Sequence, residues 1–283
     1  MTIVTIRQEY YQQPYVLYNL VNQLKFRYLS ARRINKEGKP ILTRYYLGYS
    51  IPLLQQSLTK LNALNDQSIK LYFDLATWKD EKGNTPMFNF DSKKRKEDKE
   101  KFNDEFNKYM IDFDFAIDLD SDKDIMISWK DAKKIKKLFD EYKLPYSLKF
   151  SGGRGFHFLI EGKWFNPKMK AKNKVLLYGK LAKIIMIMCK IKEHDKGGTF
   201  DDSIYDDRRI FKIAYSLQNK DGKEYVCLPL SDEQFNNFRL EDMELMNVMK
   251  KNRLFKRGLL TRDYGLSEKE LKKNVIKFIK EMK

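Results

Sequence analysis

Between residues 111 and 120 the chain alternates, with Ala116 falling among the acidic positions: Ile111-Asp112-Phe113-Asp114-Phe115-Ala116-Ile117-Asp118-Leu119-Asp120. Side chains two apart on a strand share a face, so this run predicts a β-strand with Ile111, Phe113, Phe115, Ile117 and Leu119 turned to a core. Asp112, Asp114, Asp118 and Asp120 then share the opposite, wet face. The period changes after Ser128. Ala132, Ile135, Leu138, Phe139 and Tyr142 fall on one stripe of an amphipathic helix over 128–142, stopped by Leu144-Pro145. Tyr146 to Phe150 and Phe156 to Ile160 read as two strands joined by a glycine-rich loop. A second helix over 170–191 is apolar at Val175, Leu176, Leu181, Ile184, Ile185 and Met188.

Further on, Arg209 to Ala214 reads as a strand, and Asn219-Lys220-Asp221-Gly222 as a hairpin turn leading to Glu224 through Leu230. Ser267-Glu268-Lys269-Glu270 is a capping-box pattern that opens an amphipathic helix with Leu271, Val275, Phe278 and Ile279. The first 80 residues look mixed α/β. Leu20, Val21, Leu24 and Phe26 mark an apolar segment over 17–28. Asn35 through Pro40 reads as a turn between strands, the second being Ile41 to Tyr49. A helix over Leu53 to Leu64 and a strand over Ser68 to Leu75 follow. Residues 89–108, with dense mixed charge over 93–101, read as a solvated helix or connector.

Length and composition narrow the class. A chain of 283 residues can bury a full core, and 42% hydrophobic with 14% aromatic content is globular. Cys189 and Cys227 are too few for a disulfide framework. With only His157 and His194 beside them, no structural zinc is expected. The chain start lacks a signal-peptide layout and the longest apolar stretch is too short for a bilayer, so a soluble, cytoplasmic protein with no membrane partner is expected. The net charge of +17 suits a polyanionic partner, because every phosphate neutralised releases a condensed counterion.

Three segments carry candidate chemistry. Asp118 and Asp120 sit on one strand face with Cα atoms roughly 6.5–7 Å apart, a spacing at which carboxylates can share a hard cation or bridge two. Ser151-Gly152-Gly153-Arg154-Gly155-Phe156-His157 places a hydroxyl, a guanidinium and an imidazole around a loop with three glycines. Backbone N–H groups in such a loop approach phosphate oxygens closely, and Arg154 can grip a phosphate with both arms of its fork. The loop does not open a helix or end in Gly-Lys-Ser/Thr, so it is not a Walker-type loop. His157 alternates with Phe156 and Phe158 and so faces the acidic side. The third segment, Phe200-Asp201 through Ile213, supplies a carboxylate after a glycine turn and then the basic strand of Arg209 and Lys212, with Lys220 in the next turn.

In this order the segments resemble the archaeo-eukaryotic primase superfamily, which holds the catalytic small primase subunit and the primase-polymerases. The family pattern is a hydrophobic strand ending in Asp-x-Asp/Glu, then Ser-Gly-x-Arg-Gly-x-His, then a hydrophobic-Asp pair ahead of an Arg-rich strand. It is matched by Ile117 to Asp120, by Ser151 to His157, and by Phe200-Asp201 with Arg208-Arg209-Ile210-Phe211-Lys212. The resemblance spans about residues 110–230 and extends to Ser216-Leu217-Gln218-Asn219-Lys220-Asp221-Gly222. Three departures stand out: Gly153 replaces a second loop arginine, the zinc-binding insertion is absent, and Gln218 replaces a histidine.

The resemblance implies an α+β chain with the archaeo-eukaryotic primase fold, in which an RRM-like catalytic sheet packs with an N-terminal α/β module. Residues 1–283 would be one catalytic domain: the module over 1–108, the catalytic sheet over 109–235 and a helical tail over 236–283. Asp118, Asp120 and Asp201 would be catalytic and hold two Mg²⁺ or Mn²⁺ ions. Ser151, Gly152, Arg154, His157, Arg209, Lys212 and Lys220 would bind an NTP or dNTP, and Arg27, Arg32 and Arg33 would touch single-stranded DNA template or primer. The activity implied is DNA-dependent primase/polymerase nucleotidyl transfer. A gap-filling repair polymerase and a non-catalytic basic nucleic-acid-binding module are the alternatives. A large primase subunit or an associated helicase would be a further partner.

Overall fold

The computed structural model describes residues 3–45, 47, 50–64, 66, 68–88, 104, 107–166, 169–206, 208–250 and 261–282. Helices α1 (Ile3–Gln12), α2 (Pro14–Gln23) and α3 (Ile51–Asn62) pack together beside strands β1 (Leu29–Ile34), β2 (Pro40–Tyr45) and β3 (Lys70–Asp74). The turn expected over 35–40 is present: Asn35 accepts from Glu37 and Lys39 N–H groups and the two strands pair antiparallel. The strand expected to reach Tyr49 ends at Tyr45, and residues 46, 48 and 49 lie outside the described set. Most of the charged segment expected over 89–108 also lies outside it.

The long alternating strand is two strands. β4 (Ala76–Trp78) pairs with β5 (Met110–Phe113), and after a break at Asp114 the chain resumes as β6 (Phe115–Asp120). Asp114 is therefore not on a wet face. It is 3% exposed, its carboxylate accepts from Arg27 at 2.7 Å and from Gly162 N–H at 2.9 Å, and its own N–H reaches Leu75 O. Ile111, expected in the core, is 49% exposed, because the alternation does not survive the break. Beyond it the pattern holds: Phe115, Ile117 and Leu119 are buried while Asp118 and Asp120 are half-buried.

Helix α4 (Ile125–Glu141) begins at Asp124, whose side chain caps Met126 N–H, and lays Ala132, Ile135, Leu138 and Phe139 against the sheet that follows. That sheet has the order β6–β8–β7, all antiparallel, with β7 at Ser147–Phe150 and β8 at Gly155–Ile160. Helix α5 (Ala171–Met188) packs Tyr178, Leu181 and Ile185 beneath β5 and β6. Leu176 and Met188, placed with its apolar face by spacing, are instead 66% and 50% exposed.

The basic strand β9 (Ile210–Lys212) does not join the β6–β8–β7 sheet. It pairs antiparallel with β3 and closes a four-stranded sheet of order β2–β1–β3–β9. The expected boundary near residue 108 is thus crossed by a strand from the far half of the chain. Hairpin β10 (Leu217–Lys220) and β11 (Lys223–Val226) turns through Asp221 and Gly222, both at positive φ, the geometry that an Asp-Gly pair favours. The C-terminal helix Glu268–Glu281 starts on the expected capping box at Ser267 and Glu270. No helix among the described residues is long and apolar enough to cross a membrane.

Candidate active site

The two sheets face each other across a cavity of about 570 Å³. One wall comes from β6, β8 and the glycine loop: Asp118, Asp120, Ser151, Arg154 and His157. The other comes from β1, β3 and β9 and includes Arg32, Lys70, Tyr72 and Lys212. Pairing of β6 with β8 sets Asp118 directly opposite His157 and Asp120 opposite Gly155. This register requires glycine at 155, because a Cβ there would stand 1.6 Å from Leu119 O. Gly152 makes the loop turn at φ +82°. Ser151 Oγ accepts from the N–H groups of Gly153 and Gly155 at 3.3 and 3.1 Å, which holds the loop and leaves its proton to donate.

Charge in the cavity is tightly coupled. His157 Nε2 lies 3.3 Å from Asp118 Oδ1, and that oxygen and His157 Nδ1 are both buried without a hydrogen-bond partner among the described residues. Burial works against the Asp118 carboxylate, but His157, Lys212 and Arg209 outweigh it and hold its pKa below the usual value. The Asp120 carboxyl goes the other way: burial and then Asp118 push its pKa up, against Arg154 and Lys212. Burial also pushes the His157 pKa down, against the pull of Asp118. The ring of His157 lies 4.3 Å from that of Phe211, centroid to centroid. Beneath it, Lys149 donates to Lys212 O, and burial brings the ammonium groups of Lys149 and Lys212 down to about 8.

The third carboxylate arrives on a segment laid along β6. Asp120 N–H donates to Thr199 O at 2.7 Å, Asp201 N–H donates to Asp118 O at 3.1 Å, and Phe200 bridges Leu119. Asp201 is therefore the backbone neighbour of Asp118, whereas Asp202 pairs with Lys183 at 3.4 Å. The Asp201 carboxylate, however, accepts from Ser203 N–H at 2.9 Å and lies 3.6 Å from Arg209. Among the described residues no three His, Cys, Asp or Glu side chains converge as a metal-holding group. What fits a cation is the pair: two carboxylates that repel each other, one with a buried oxygen lacking a hydrogen bond.

Of the other expected residues, Arg154 lines the cavity, with Nη2 3.1 Å from Asp120 and Nη1 on Asp122. Arg209 and Lys212 line it as well. Gly152 sits in the loop behind Ser151 and Gly153, and Lys220, at the far end of β10, is not among the lining residues. Arg32 lines the cavity, while Arg33 falls on the other face of β1 by alternation. Arg27 does not line this cavity: its side chain is 11% exposed and its guanidinium is engaged by Asp114 and by Asp74 O, as a buried ion-pair partner. Sequence reasoning missed Lys70 and Tyr72, and named Gln218 only as a departure from the family pattern. Gln218 accepts from Lys212 Nζ, and its amide occupies the space a Cβ at Gly153 would need. The signal for Lys70 and Tyr72 was their shared face on the expected 68–75 strand; the facing sheet was not legible.

No family model matches the chain, and no curated protein sequence does. Among solved structures, the chain is similar to the polymerase domain of Mycobacterium tuberculosis Ligase D in complex with DNA, at 11% identity and a TM-score of 0.58, covering 90% of this chain and 93% of that one. Primase RepB′ matches at 9% identity and a TM-score of 0.41, over 84% of this chain and 63% of that one. At this identity the likeness is one of fold: the chain shares the fold of that ligase polymerase domain.

Proposed function

We propose that the chain is a DNA-dependent nucleotidyltransferase of the primase/polymerase type, joining NTPs or dNTPs along a single-stranded DNA template. The observation that carries this reading is the facing of Asp118 and Asp120 against the Ser151–His157 loop in one cavity. The fold-level neighbour is a polymerase domain solved with DNA, and the net charge of +17 suits the same partner.

Asp118 and Asp120 would hold Mg²⁺ or Mn²⁺, with Asp201 as the adjacent third carboxylate. Such an ion lowers the pKa of an attacking hydroxyl and neutralises a leaving pyrophosphate. The chain's own groups do the rest. Arg154, Lys212 and the Ser151 hydroxyl bind and orient the triphosphate so that the 3′-hydroxyl meets the α-phosphorus in line. His157, neutral at physiological pH because burial lowers its pKa, donates one ring N–H while its other nitrogen accepts. Its placement on Phe211 fixes the ring for a hydrogen bond to a phosphate oxygen.

Incorporation is measured with all four NTPs or dNTPs and Mn²⁺ or Mg²⁺, on unprimed and on primed single strands. Dinucleotide products without primer mark a primase; strict primer dependence marks a gap-filling polymerase. A second reading, a non-catalytic nucleic-acid-binding module, is favoured by the engagement of Asp201 with Ser203 and Arg209. It stands if no incorporation occurs under any of these conditions while single-stranded DNA is bound.

A further inference from the structure

The cavity's second wall carries charge that the motif residues do not account for. On the four-stranded sheet, Arg32 of β1 and Lys70 of β3 are directly paired across the strands, and both line the cavity. Like charges set opposite each other on one sheet face repel, a cost usually avoided. Among the described residues neither is ion-paired to a carboxylate. Arg32 instead acts electrostatically on the Tyr72 hydroxyl, and Tyr72 is the register partner of Lys212. Burial, then Arg32 and Arg154, push the Lys70 pKa down, so Lys70 feels both the glycine-loop arginine and its own strand neighbour. The lining therefore holds Arg32, Lys70, Arg154, Arg209 and Lys212 against Asp118 and Asp120.

Resting on the reading that this cavity takes nucleotides, we infer that Arg32 and Lys70 form a second cationic wall that grips the triphosphate from the side opposite the glycine loop. A phosphate group between them turns a repulsive pair into two charge-assisted hydrogen bonds. The loop needs this help. The loop carries a single arginine; position 153 is glycine, and Gln218 closes the space beside it with a Cβ-to-Nε2 separation of 2.5 Å for any larger residue. An arginine introduced there would have to displace the amide that Lys212 holds. The facing sheet thus supplies the cations that the loop lacks. Arg32 belongs with the nucleotide by this argument, not with the template, and Lys70 joins it.

The test uses inorganic tripolyphosphate titrated onto the full chain by calorimetry, without nucleotide or template. Arg32→Gln and Lys70→Gln are each expected to weaken it about tenfold, the effect of losing one charge-assisted contact. Lys70→Arg, which keeps the charge, should retain most of the affinity. In steady-state incorporation the Gln variants should raise KM for dNTP or NTP more than they lower kcat, and competition by the nucleoside alone should be unchanged. Thermal melts show whether each variant is folded, and an unfolded Gln variant is replaced by Arg32→Met or Lys70→Met. Unaltered tripolyphosphate affinity in folded variants overturns the inference, as does a loss confined to single-stranded DNA binding. If wild type binds tripolyphosphate in this variant-sensitive way but incorporates nothing, the polymerase reading fails and the anion wall stands. If it incorporates normally while the variants bind as wild type, the wall fails alone.

Discussion

Asp118 and His157 are register partners across β6 and β8, with Nε2 3.3 Å from Oδ1 and no hydrogen bond formed between them. The pairing ties the carboxylate strand to the glycine loop, so a shift of either strand by one residue would turn its side chain to the other face. It also leaves a buried carboxylate oxygen unsatisfied, a cost usually tolerated only where a ligand is to be met.

Asp118→Asn and Asp120→Asn should each lower nucleotide incorporation on the order of 10²–10³-fold, the usual scale for removing one electrostatic contact to a transition state. Removal of a negative charge from a basic cavity should leave single-stranded DNA affinity equal or higher. A gel assay of incorporation beside a fluorescence-anisotropy titration reads both. Unchanged incorporation by the double variant would sink the catalytic reading.

Lys212 gives a pH signature. Its ammonium is brought down to about 8 by burial, so it is charged below that pH and neutral above it. The KM for nucleotide should therefore rise as pH climbs through about 8. Arginine keeps its charge throughout this range, so Lys212→Arg should flatten the alkaline limb. Persistence of the limb in the arginine variant would assign it elsewhere, with buried Lys149, also near 8, the first suspect.

How much of this was legible depended on how far apart the partners lie in sequence. Asp118, Asp120 and His157 could be placed because a period of two fixes faces locally, and only one helix and one strand separate β6 from β8. The faces failed at Asp114, whose partner Arg27 lies 87 residues away. Lys70 and Tyr72 escaped for the same reason: β3 meets β9 only through tertiary pairing, so nothing local says which of its faces looks into the cavity. Asp201 lies outside the named strands, on a segment laid along β6. Asp201 follows a bridge at Phe200, and Arg209 leads into the other sheet.

Gly155 and Gly222 separate two kinds of glycine requirement. Alanine at 155 would drive a Cβ into Leu119 O and push β6 from β8, an overpacking cost of about 3 kcal/mol. Alanine at 222 meets nothing within 4 Å and suffers only its positive φ, about 1–2 kcal/mol. Urea unfolding should rank the two in that order, and only Gly155→Ala should also lose incorporation. The reverse ranking would mean that the β6–β8 register is not as described.

Arg27 is the remaining discriminator, because its expected and observed surroundings differ. As a template contact, its loss would weaken DNA binding and leave stability alone. As the partner of buried Asp114 at 2.7 Å, its loss should do the opposite. Removing one member of a buried ion pair costs about 3–5 kcal/mol, since the other charge stays behind uncompensated. Arg27→Met should therefore lower the unfolding free energy by about that amount, and Arg27→Met with Asp114→Leu should recover part of it, because the orphaned carboxylate is gone. Single-stranded DNA affinity of the folded fraction should match wild type. A variant of normal stability with weakened DNA binding would return Arg27 to the nucleic-acid surface.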